Sequence, residues 1–66
     1  MQITLNGNCE FLPGEMSVRD LLSRLNVDPV RAAVEINEEL VRRSTFQATY
    51  VHEGDRVEIV TFVGGG

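Results

Sequence analysis

No lysine occurs in this chain of 66 residues; all six basic side chains are arginine. Lysine is among the commonest residues of soluble domains, so its absence is informative. Codon usage that favours arginine is one account, and a second depends on the chemistry of the chain's end, taken up below. Cysteine is almost missing as well. The single Cys9 excludes an internal disulfide and fits a reducing cytoplasm. With one Cys and one His, no cluster has the spacing of a zinc site. No apolar run approaches the length of a bilayer span, and no signal-peptide pattern opens the chain. Basic charge is not in excess either. The net charge of −4 disfavours nucleic acid, whose phosphates select basic patches, and an anionic membrane surface. Bulk is lacking too: a chain this short buries only about 60% of the surface its unfolded form exposes. Such a core rarely yields more than ~3–5 kcal/mol of net stability. It has no room for a deep catalytic cavity, which points to a carrier, an inhibitor or a docking module rather than an enzyme acting alone.

What is present is regular patterning. "MQITLN" alternates, with Ile3 and Leu5 on one side and Gln2, Thr4 and Asn6 on the other, as in a half-buried strand. "NGN" is a hairpin signal because Asn and Gly tolerate positive φ. "CEFL" reads as the return strand, with its register open. A three-residue loop pairs Leu5 with Cys9 and Ile3 with Phe11. A four-residue loop, or a two-residue one centred on Gly7–Asn8, brings Leu12 opposite Ile3. Ser17 fits a helix N-cap with Asp20 three residues on. Val18, Leu21, Leu22 and Leu25 then form one apolar stripe, which predicts a helix near 18–25. Asn26 can end it in a left-handed turn, and Pro29 prevents resumption. "AAVEIN" alternates with Val34 and Ile36 inward and Glu35 outward, "NEEL" turns, and "LV" is a short strand. Residues 42–47 show no period and read as a crossover that buries Phe46. "HEGD" is a turn in which Gly54 needs positive φ.

The final strand, "RVEIVTFV", is the longest. One helix covers one face of one sheet, so the fold class is α+β in two layers. A strand this apolar is better placed centrally than at an edge. The arrangement is the ubiquitin-like β-grasp: a mixed sheet of four to five strands with one helix across one face. The expected organisation is a β-grasp domain over residues 1–63 and a flexible glycine tail over residues 64–66. By parity, Val57, Ile59 and Val63 share the core-facing side. Val60 and Phe62 then sit on the open face beside the tail, as a partner contact, unless a crossover residue such as Phe46 covers them.

Gly64, Gly65 and Gly66 have no side chains to pack, and fully extended they reach about 10 Å. Such a thread enters a channel too narrow for any other residue. The carboxylate at its tip, with a pKa of about 3.5, is ionised at neutral pH and unreactive as an acylating group. Attack on the α-phosphate of ATP converts it to an acyl-adenylate. A sulfur donor can displace AMP from that species and leave a thiocarboxylate.

The chain resembles the ThiS family of sulfur carriers of thiamine biosynthesis over essentially its whole length. The resemblance is carried by "MQITLNG", "SVRDLL", "AVEIN" followed by "LVRRS", and above all "EGDRVEIVTFVGGG". Arg42 and Phe46 depart from the pattern, where proline and tryptophan are common. The resemblance implies that a ubiquitin-activating-like enzyme adenylates Gly66, using ATP and Mg²⁺ that this chain does not itself bind. It implies a cysteine desulfurase relay as the sulfur source and thiazole synthase as the acceptor, with Gly65 and Gly66 as the paired terminal glycines. On that reading the missing lysines gain a meaning: no side-chain amine is present to be acylated by the activated end. Two alternatives share the pattern. One is the small subunit of molybdopterin synthase, with the same chemistry and a pterin acceptor. The other is a ubiquitin-like modifier or interaction module.

The remaining polar residues read as structural. Cys9 is expected to be a small buried hydrophobe. His52 is expected to be solvated. The acidic pairs Glu38–Glu39 and Glu53/Asp55 read as solvated turns that also steer the chain toward a basic partner.

Overall fold

The computed structural model describes residues 1–62. The chain opens with a hairpin of β1 (Gln2–Leu5) and β2 (Asn8–Phe11). Its turn is the pair Asn6 and Gly7, at φ 48° and 83°. Two left-handed residues in succession give a turn whose twist matches the strands it joins. The register is therefore none of those expected from the sequence. Leu5 lies opposite Asn8 and Ile3 opposite Glu10. This corrects the placement of Cys9. It pairs with Thr4 on the uncovered side of an edge strand and is exposed, not buried. Leu12 passes beyond the strand, donates its N–H to the Met1 carbonyl at 2.7 Å, and enters the core.

A two-residue strand, β3 (Met16–Ser17), leads into α1 (Val18–Arg24). Ser17 caps the helix by accepting from the Asp20 N–H at 3.1 Å. The N–H groups of Val18 and Arg19 are met by the carbonyls of Thr49 and Phe46. The crossover thus satisfies donors that a helix start leaves orphaned. Val18, Leu21 and Leu22 are buried, each contributing about 1.5–3 kcal/mol relative to exposure. Asn26 ends the helix at φ 59°. Pro29 does more than block resumption: it begins a 3-10 turn, Pro29–Arg31, capped by Asp28.

Next come β4 (Ala32–Ile36) and β5 (Glu39–Val41), joined by Asn37 and Glu38, both at positive φ. The crossover contains a second 3-10 turn, Arg43–Thr45, and Phe46 is 3% exposed in the core, as expected. Arg43 fastens the crossover by donating to the carbonyls of Pro29 and Val30 at 3.1 and 3.0 Å. A short β6 (Tyr50–Val51) pairs with β3, a second sheet of two strands that the sequence pattern does not announce. A turn with Gly54 at φ 83° leads to β7 (Arg56–Thr61).

The main sheet has the order β2-β1-β7-β4-β5. The last strand lies at its centre, parallel to β1 and antiparallel to β4. The fold is thus a five-stranded mixed sheet with one helix on one face, a β-grasp. Val34 and Val57 face the helix and are fully buried. The expected tail, residues 64–66, and Val63 lie outside the described residues. Among the described residues, no helix is long and apolar enough to cross a membrane.

Candidate functional site: the open face beside the chain's glycine end

Because β7 alternates, burying Val57 against the helix turns its even-numbered residues to the opposite face. Val60 is 60% exposed and Phe62 54% exposed. The alternative that Phe46 covers them does not hold, since Phe46 packs on the helix side of the sheet. Register extends the patch across β4 and β5. Val60 stands opposite Ala33, Glu58 opposite Glu35, and Glu35 opposite Leu40, itself 69% exposed. Phe62 donates its N–H to the Arg31 carbonyl at 2.8 Å, which holds the end of β7 against the segment before β4.

The other side of β7 is held differently. The β1 ladder covers only Thr4–Arg56 and Leu5–Val57. There Asn6 continues it with its side chain. Its Oδ1 accepts from the Ile59 N–H at 2.8 Å, and its Nδ2 donates to the Ile59 carbonyl at 3.2 Å. An amide thus occupies the place of one more strand residue. This extends the support of β7 on that side to Ile59.

The turns at the far end of the sheet are tied by Asp55. It accepts from the His52 N–H at 2.8 Å and from Asn37 Nδ2 at 3.1 Å. Asn37 Oδ1 in turn accepts from the Arg56 N–H at 2.9 Å. Asp55 is therefore half-buried and structural, not the solvated turn residue expected. His52 is exposed, as expected, between Glu15 at 3.7 Å and Asp55 at 3.8 Å. Among the described residues, no group of three His, Cys, Asp or Glu side chains could hold a metal ion. Phe11, exposed on β2, lies at the opposite end of the open face.

Of the residues singled out from sequence, Val60 and Phe62 are thus together on one face. Gly64, Gly65 and Gly66 fall outside the described residues. Sequence reading missed Leu40 and the apposition of Glu35 with Glu58. Parity turns both glutamates outward, but only the β4–β7 register sets them face to face.

A model of the ThiS family matches residues 3–66. Over all 66 residues the chain is 41% identical to a thiazole synthase of Paramagnetospirillum magneticum, of whose length it spans only 20%. It is 29% identical to the sulfur carrier protein ThiS of Escherichia coli, with both chains covered completely. The crystal structure of the thiamine biosynthesis protein ThiS from Geobacter metallireducens matches with a TM-score of 0.86 at 40% identity, again over all of both chains.

Proposed function

The chain belongs to the ThiS family, the sulfur carriers of thiamine biosynthesis, and from that premise we propose that Gly66 is where its sulfur is attached. The Gly66 carboxylate attacks the α-phosphorus of ATP, and pyrophosphate leaves. The acyl-adenylate so formed is attacked at its carbonyl carbon by a persulfide sulfur, and AMP leaves. A thiol then attacks the outer sulfur of the resulting acyl disulfide, so that the thiocarboxylate leaves and a new disulfide remains on the donor side. The chain supplies none of the catalytic groups for these steps. They come from a ubiquitin-activating-like enzyme with ATP and Mg²⁺, and from a cysteine desulfurase relay. Thiazole synthase accepts the sulfur. The observation that carries this reading is the family match through the terminal Gly64–Gly66. The thiazole synthase relative supports the choice of acceptor, because a stretch similar to this whole chain makes up part of it.

In this mechanism Gly64 and Gly65 pass through the partner's channel, and Val60 and Phe62 seat the domain at its mouth. The test is intact mass after incubation with the adenylating enzyme, ATP and a sulfur source. Replacement of one oxygen by sulfur is expected. Attachment to lysines of other proteins instead identifies a modifier, and an unchanged mass identifies a passive module. Deleting Gly66 shortens the reach by about 3.5 Å and is expected to abolish adenylation with the fold intact. Gly65→Ala is expected to impair adenylation through its methyl group. A truncated chain that is adenylated at the wild-type rate overturns the assignment of Gly66.

A further inference from the structure

Glu35 and Glu58 stand directly opposite each other on two central strands of the open face. Like charges in such a position destabilise a sheet. Among the described residues, neither carboxylate takes part in an ion pair. With Ala33 and Val60 they line a shallow recess, and Leu40 flanks it on the β5 side. The free domain thus presents two exposed carboxylates, side by side and without a cationic partner among the described residues, inside its apolar patch.

We propose that this recess is a socket for an arginine or lysine side chain of the adenylating enzyme, and that the acid pair makes the open face specific for that partner. The proposal rests on the carrier reading given above and extends it to the residues that orient the domain. Two considerations choose the occupant. Gly66 lies four residues beyond Phe62, so an extended chain carries its carboxylate at most about 14 Å away. An enzyme that reacts with that carboxylate must therefore approach close to Phe62, at the edge of this patch. Such an enzyme also brings a carboxylate to a triphosphate, and must gather cationic groups to do so. A basic rim around its channel is complementary to the acid pair and to a chain of net charge −4. A guanidinium fork seated between two carboxylates relieves their repulsion and bonds to both. The surrounding Val60 and Leu40 keep water from the contact.

The experiment compares the whole wild-type chain with an E35Q/E58Q variant in ATP–pyrophosphate exchange catalysed by the adenylating enzyme. Gln keeps the shape, so the variant is expected to melt at the same temperature or higher. Its KM is expected to rise about 10- to 100-fold with kcat nearly unchanged, and to lose most of its dependence on salt. A wild-type KM and salt dependence in the variant overturn the socket and leave the carrier reading standing. Normal adenylation with a defect confined to sulfur transfer on thiazole synthase also overturns it, because the acid pair then serves that enzyme. A wild-type chain that is not adenylated at all removes both the carrier reading and the socket.

Discussion

Glu38 holds a φ of 72°, a conformation that L side chains adopt at a cost of about 1–2 kcal/mol. Among the described residues its side chain makes an exposed ion pair with Arg56 at 3.8 Å, which contributes little. Glu38→Gly is therefore expected to stabilise the domain by about 1 kcal/mol, since glycine takes the same backbone without strain. A higher urea midpoint at unchanged slope is the measurement. Asn6 is the opposite case. Its amide closes both backbone groups of Ile59 and its φ is also positive. Asn6→Ala is expected to cost about 2 kcal/mol, from two lost hydrogen bonds and a strained turn. For a domain with only ~3–5 kcal/mol in hand, either change is large.

Helix α1 is short, and its beginning matters more than its propensity. Ser17 is buried while its hydroxyl accepts from Asp20. Ser17→Ala is expected to cost about 1–2 kcal/mol, read as a lower urea midpoint. This helix was legible in the sequence because its signals are local: the cap, the stripe of Val18, Leu21 and Leu22, and Asn26 as the stop. The central place of β7 was legible for a related reason, since its apolar content suits no edge. The first hairpin was legible as a hairpin but not in register. One residue more or less in the loop decides whether Cys9 faces the helix or the open side, and "NGN" admits several loops. The pairing of β3 with β6 was not legible at all. Each has two residues, too few for a period, and they meet only because the crossover returns to the helix start. The acid pair was hidden likewise, because register between strands is set by packing rather than by either strand alone. Val60 and Phe62 were recoverable by parity once one face was assigned to the core.

At the level of the whole molecule, the proposed activation of Gly66 gives the absence of lysine a meaning that can be tested. Arg56 lies on the open face, exposed, on the strand that leads to the glycines. Arg56→Lys keeps the charge and adds a nucleophilic amine. With the adenylating enzyme and ATP, this variant is expected to form covalent self-conjugates that the wild type does not, visible as higher-mass species under denaturing conditions. If no such species rise above background, codon usage is the sufficient account of the missing lysines. The variant also separates this question from stability, since only a weak surface pair changes.

The central position of β7 has one more consequence, and it concerns synthesis. The sheet cannot close until residues 56–61 have left the ribosome, because β1 and β4 pair with β7 and not with each other. A chain ending before Arg56 is expected to remain unfolded, with a coil-like circular dichroism spectrum. Products of early termination or proteolysis upstream of that strand are therefore expected to stay unfolded, and so to be open to clearance rather than to compete with the folded domain.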